Sequence, residues 1–179
     1  MAHDISMQAD APQDIVALAA LVGQQLKHRG LILATAESCT GGGVAQAITG
    51  IAGSSKWFDC GFVTYSNASK MALLQVASDV LDQHGAVSNE TATAMCQGAL
   101  RNSLATIALS TTGIAGPDGA VPGKPVGTIY FGWACGDVTR VERVLFSGDR
   151  HSIREQTVRH ALRGLLTLLE SNTFIHPRG

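Results

Sequence analysis

Between Leu31 and Gly43 a short apolar run breaks into a string of small residues, and no other stretch limits the fold as much. Leu31-Ile32-Leu33-Ala34-Thr35-Ala36 has the length and composition of a buried strand, bounded on its near side by Gly30. Glu37-Ser38-Cys39-Thr40-Gly41-Gly42-Gly43 then reads as a tight turn opening a helix. Small residues let the backbone bend sharply and approach a ligand. A helix start offers free N–H groups to an anion or a developing oxyanion. Ser38 stands where a nucleophile would be exposed and well aimed. An ordinary strand–turn–helix connection, with Ser38 or Thr40 only an N-cap, fits the same residues.

The chain must bury a core, since 45% of its 179 residues are apolar and 15% charged. A net charge of −1 gives no broad pull on nucleic acid, so a small anionic substrate must be held by a few local cations. Cys39, Cys60, Cys96 and Cys135 form no Cys-x-x-Cys pair and no metal spacing with histidine. They read as reduced thiols of a cytosolic protein. The N-terminus lacks a signal region, and no apolar run reaches the ~18 residues of a membrane span. A cytoplasmic protein with neither membrane nor nucleic-acid partner is expected. Low charge and small apolar faces favour a homo-oligomer.

Residues 1–11 are polar and expected to fray, 12–172 to form one domain, and 173–179 a tail. Asp10 and Pro12 suit the start of a helix whose face carries Ile15, Leu18, Ala19, Val22 and Leu26, closed by Gly30. After the Leu31 strand come a short helix from Val44 to Thr49 and a strand from Trp57 to Tyr65. Helices follow at Ala68–Val76, Ser78–His84 and Asn89 to about Asn102. Ala105–Thr111 reads as a buried strand. Val126–Cys135 and Val138–Phe146 read as a hairpin turning at Gly136-Asp137, and a helix runs from Ser152 to Glu170. This order points to an α/β protein, a three-layer α/β/α domain on a mixed, mostly parallel sheet of about five core strands.

Three further stretches can carry chemistry. Thr111 to Pro125 is a long glycine-rich connection after a buried strand, with Lys124 near its end. Its glycines allow N–H groups to converge on a ligand, although a rigid surface turn with Asp118-Gly119 at its tip fits too. Thr64 to Lys70 places a lysine in the first turn of a helix, where the dipole favours acids. Buried beside Ser38, Lys70 would serve as its base, provided its pKa falls below the usual ~10.4; a solvated surface lysine is the plainer reading. Phe146 to Arg154 offers Arg150 and Arg154 as planar forks for a phosphate or carboxylate, or Asp149 as a helix cap.

The chain has no Walker A sequence, no Gly-x-Gly-x-x-Gly after its first strand and no Gly-x-Ser-x-Gly elbow. Cys39 rivals Ser38 as nucleophile, but a cysteine usually needs a histidine base, and none lies in the first three candidate loops.

Four segments together resemble the CinA C-terminal domain family. They are Ala36-Glu37-Ser38-Cys39-Thr40-Gly41-Gly42, Tyr65-Ser66-Asn67 with Lys70, Thr112-Gly113-Ile114-Ala115-Gly116-Pro117, and Gly148-Asp149-Arg150 with Ile153-Arg154. The resemblance runs from about Asp14 to Glu170. One departure is Ala120, where the family often has a glycine. The family includes nicotinamide-nucleotide amidases, so the resemblance implies hydrolysis of nicotinamide mononucleotide to nicotinic acid mononucleotide and ammonia, without metal or organic cofactor. It carries the serine nucleophile to Ser38 and the lysine and tyrosine to Lys70 and Tyr65. It carries substrate contacts to Thr112, Gly113 and Arg150; the N–H groups of the first turn add Thr40, Gly41 and Gly42, and its charge adds Lys124. The rival is a non-catalytic nucleotide-binding protein linked to competence or DNA damage.

Overall fold

Asp14 starts the first helix. The computed structural model describes residues 14–171, and helix α1 (Ile15–Arg29) begins with the Asp14 carboxylate accepting from the Ala17 N–H. The expected cap, Asp10, and Pro12 lie outside the described residues, as do residues 1–11 and 173–179, for which fraying and a tail are expected. Asp14 displaces Asp10 in that role because it stands three residues before a free N–H of the first turn. Gly30, at φ 65°, stops α1 in the left-handed region.

Strand β1 (Leu33–Glu37) is buried throughout. It leads to α2 (Gly43–Thr49), a 3₁₀ turn at Ser54–Lys56, and β2 (Phe58–Val63). In β2, Phe58, Cys60 and Phe62 alternate with more exposed residues, as the period-2 pattern requires. Next come α3 (Asn67–Leu74), α4 (Ser78–His84) and α5 (Asn89–Arg101). Ser66 caps α3 in a reciprocal capping box with Ser69, and Ser88 caps α5. Strands β3 (Ile107–Gly113), β4 (Thr128–Cys135) and β5 (Val138–Leu145) precede the long α6 (Arg150–Glu170). β3 reaches two residues further than expected, so Thr112 and Gly113 belong to a strand. α6 starts two residues earlier, capped by Asp149, which puts Arg150 in its first turn.

The five strands lie in the order β2-β1-β3-β4-β5. β1 pairs in parallel with β2 and β3, while β4 is antiparallel to both its neighbours. The sheet is therefore mixed, with only β4 reversed. One face carries α1, α2 and α6, whose Leu18, Val22, Val44, Ile48, Leu162 and Leu165 join Leu33, Ile107, Leu109 and Phe131 in one core. Trp133 stacks on Phe131 and donates its indole N–H to the Ala161 carbonyl of α6 at 3.1 Å. The other face carries α3, α4 and α5, where Leu74, Leu81, Met95 and Ala99 cover Ala34, Ala36 and Ala108. Helices on both faces make the three layers. No helix among the described residues is long and apolar enough to cross a membrane.

The chain leaves β1 for β2 on one side, then crosses to β3 on the other. Such a reversal opens a crevice at the carboxyl ends of the strands. Ser38 follows the last residue of β1 at that point.

Candidate active site

The turn after β1 is built from buried polar groups. Ser38 donates its N–H to the Thr111 carbonyl at 2.9 Å, extending the β1–β3 pairing by one residue. The Glu37 carboxylate accepts from the N–H groups of Gly42, Val44 and Ala45 and from the Thr40 hydroxyl. Gly42, at φ 95°, is the backbone N-cap of α2 and has no side chain to cap with. Neither Ser38 nor Thr40 takes the expected N-cap position; Glu37 reaches over from the strand and takes the donors instead. From α6, Arg154 donates to the carbonyls of Cys39 at 3.2 Å and Thr40 at 3.0 Å.

Lys70 crosses from α3 to this turn. Its Nζ lies 3.0 Å from Ser38 Oγ, and it donates to the carbonyls of Thr64 at 2.8 Å and Tyr65 at 3.4 Å. The residue is 1% exposed, and Ser38 is 8% exposed. No carboxylate is ion-paired with the amine among the described residues. Burial therefore lowers its pKa from the ordinary lysine value. Burial pushes the Cys39 thiol the other way, up to about 12, with Glu37 adding to the rise. Cys39 is thus a protonated thiol at neutral pH, and its neighbour's hydroxyl is the one that meets an amine.

A cleft of about 230 Å³ opens over Ser38 and Lys70. Its walls include Tyr65, Thr112, Gly113, Gly116, Asp118 and Arg150. Gly113 is there because nothing larger fits: a Cβ would lie 2.6 Å from the Thr128 carbonyl oxygen and 2.5 Å from Ile129 Cδ1. Its N–H has a free direction. Successive N–H groups of an antiparallel strand alternate, and that of Ile114 bonds Thr128 across β4. The Gly113 N–H therefore faces the β1 side, where β1 has already ended at Glu37. On the turn itself, the N–H groups of Gly41 and Gly43 are spent on the Ser38 and Thr40 carbonyls.

The predicted residues separate into two groups. Ser38, Lys70, Tyr65, Thr112, Gly113 and Arg150 share the cleft. Within it Tyr65 is 63% exposed; its phenol meets Arg150, while its carbonyl meets Lys70. Thr112 donates its hydroxyl to the Ala86 carbonyl at 2.6 Å, so it also ties the cleft wall to the α4–α5 connection. Thr40, Gly41 and Gly42 do not line this cleft; Thr40 faces Glu37 and Thr111 beneath the turn. Lys124 also lies elsewhere, its amine donating to the Val87 and His84 carbonyls at 2.6 and 3.3 Å. Those carbonyls attract it away from the cleft and pin the long connection to α4 and its following loop. Glu37 is the residue that spacing alone did not single out; an acid ending a buried strand, with small residues after it, is the signal that marks it. Among the described residues no three His, Cys, Asp or Glu side chains gather as a metal site.

Comparison with known proteins shows which family the chain resembles over nearly its whole length. The sequence model described as the CinA C-terminal domain matches residues 15–169. The nicotinamide-nucleotide amidohydrolase PncC of Pseudomonas putida is 49% identical over 154 residues, covering 86% of this chain and 96% of its own. The protein of the same name from Escherichia coli K12 is 48% identical over 163 residues, covering 89% and 98%. Among solved structures, the competence damage-inducible protein A (ComA) of Klebsiella pneumoniae superposes with a TM-score of 0.86 at 38% identity, covering 88% of this chain and 98% of its own.

Proposed function

The chain belongs to the CinA C-terminal domain family, and from that premise we propose that it is a nicotinamide-nucleotide amidase with Ser38 as its nucleophile. Its reaction is the hydrolysis of nicotinamide mononucleotide to nicotinic acid mononucleotide and ammonia. The observation that carries this reading is the buried Lys70 amine 3.0 Å from Ser38 Oγ.

Lys70 works as the base in its neutral form, which burial favours. Ser38 Oγ attacks the carboxamide carbon as Lys70 takes the hydroxyl proton. The carbonyl oxygen becomes an oxyanion, to which the Gly113 N–H, turned away from β4, is the donor. Protonated Lys70 returns the proton to the amide nitrogen, the C–N bond breaks, and ammonia leaves an ester on Ser38. Water then attacks that ester as Lys70 takes its proton, Lys70 passes the proton to Ser38 Oγ as the ester bond breaks, and the acid product departs as a carboxylate after losing its own proton to solvent. The positively charged pyridinium ring withdraws electrons from the amide and lowers the barrier to attack.

The substrate phosphate belongs with Arg150, which lines the cleft and carries a full charge. The start of α2 is the other conceivable anion site, but Glu37 already holds its donors. Tyr65 belongs with Arg150, to which its phenol is bonded. The enzyme acts in the cytoplasm and as a self-associated assembly. Sedimentation of the intact protein tests the latter.

Steady ammonia release from nicotinamide mononucleotide, abolished in Ser38→Ala, is the expected result. Tight binding of the nucleotide without turnover would favour the competence-related reading instead. A panel of amides with and without phosphate tests the substrate.

A further inference from the structure

Glu37 is 1% exposed, and among the described residues no Lys or Arg is ion-paired with it. A buried carboxylate is costly unless donors surround it. Here its Oε2 accepts from the Thr40 hydroxyl at 2.6 Å, the Gly42 N–H at 3.1 Å and the Val44 N–H at 3.0 Å, and its Oε1 from the Ala45 N–H at 2.8 Å. Thr40 gives its single hydroxyl proton to Glu37, so it accepts from the Thr111 hydroxyl, 2.7 Å away on β3. Thr111 in turn accepts the Ser38 N–H through its carbonyl. These bonds form one connected set beneath Ser38. They anchor the turn to α2 on one side and to β3 on the other. Cys39 packs into the core and Arg154 holds the Cys39 and Thr40 carbonyls from outside, but Gly41 and Gly42 bring no side chain, so the α2 side of the turn is held through Glu37.

We infer that Glu37 is a positioning residue, whose carboxylate fills the underside of the turn and so holds the Ser38 hydroxyl at Lys70. The inference rests on the reading of Ser38 as nucleophile, and it does not depend on which amide is the substrate. It assigns Glu37 no contact with the reacting atoms.

Glu37→Gln tests it. The side chain keeps its shape, but an NH₂ replaces one acceptor and faces N–H donors. Ser38 is labelled with a fluorophosphonate, and the rate constant is read separately from the amplitude. The rate constant is expected to fall about 10–100-fold, the cost of a misplaced reacting group. kcat on nicotinamide mononucleotide should fall by the same factor, with KM within about twofold. The pH midpoint of labelling should stay in place, because Lys70 is untouched. A reduced amplitude at the wild-type rate constant would mean that Glu37 serves stability alone and would overturn the inference. A moved midpoint would overturn it too, by making Glu37 an electrostatic partner of Lys70.

Where Glu37→Gln does not fold, Thr40→Val removes the hydroxyl between Glu37 and Thr111 and keeps the carboxylate with its three N–H bonds. Its labelling rate constant is expected to fall about fivefold, the worth of one hydrogen bond; no change would count against the inference. Wild-type protein that labels at Ser38 yet releases no ammonia would sink the substrate reading, and the positioning role would still be read from the rate constants. Wild-type protein that fails to label at Ser38 would sink both.

Discussion

The Tyr65 hydroxyl lies 3.1 Å from Nη2 of Arg150, whose other terminal nitrogen donates to the Gly116 carbonyl at 2.7 Å. Tyr65 thus braces the guanidinium on one side and the Thr112–Pro117 segment braces it on the other. Removing the phenol oxygen in Tyr65→Phe is expected to raise KM several-fold, about the worth of one ordinary hydrogen bond, because the guanidinium keeps its bond to Gly116. The pH–rate profile should keep its position, since Lys70 meets only the Tyr65 backbone. A lost alkaline or acidic limb in Tyr65→Phe would return the phenol to proton transfer.

Ser38→Ala is expected to lower kcat by roughly 10⁴-fold, as in other hydrolases that lose their nucleophile. Nucleotide binding should persist, because Arg150 and the cleft walls remain. Calorimetric titration alongside ammonia release separates the two effects, and near-normal turnover would refute the assignment.

Lys70 gives a pH dependence with a defined sign. Its pKa is lowered by burial, so the neutral base accumulates as pH rises through that lowered value, and kcat/KM should climb to a plateau. Stability follows the same group. The unfolded chain holds the lysine proton up to ~10.4. Between the folded pKa and that value the unfolded state binds more protons, so stability rises with pH. The penalty is full below the folded pKa and gone above the unfolded one. Melting temperatures of wild type and Lys70→Met should therefore diverge or converge with pH in that window, with wild type gaining. Parallel curves would show that the amine is not desolvated.

Arg150→Ala is expected to raise KM for the phosphorylated substrate about 10–100-fold, the range for a charged hydrogen bond. The dephosphorylated riboside should be affected far less. Equal losses on both would move the phosphate elsewhere.

Cys39, with its thiol pushed up to about 12, should resist iodoacetamide near neutral pH, where thiols of ordinary pKa are alkylated. Activity after treatment measures this directly. Cys39→Ala should keep most of its turnover, whereas a loss comparable to that of Ser38→Ala would make the thiol the nucleophile.

Much of the fold was legible because apolar periodicity and caps are local signals. Gly30, Ser66, Ser88 and the Gly136-Asp137 turn all stand at the element ends that their chemistry marks. The boundaries that moved did so for tertiary reasons. β3 continues through Thr112 and Gly113 because β4 supplies partners that far along. In the site, Ser38 and Lys70 were readable from a small-residue turn after a buried strand and a lysine misplaced for its helix dipole, although the turn expected to be exposed is buried, with Ser38 only 8% exposed. Lys124 was not, since its charge alone does not tell whether a phosphate or two main-chain carbonyls will claim it. Glu37 escaped notice because a strand-ending acid becomes a cap only once α2 folds back above it.

The antiparallel register places the β4–β5 turn, Gly136-Asp137, beside the start of β3, whereas Ser38 follows the end of β1. The two lie at opposite ends of the sheet. A dye, an affinity handle or a tether to a solid support can be mounted on that remote hairpin, leaving the mouth of the cleft clear for the nucleotide.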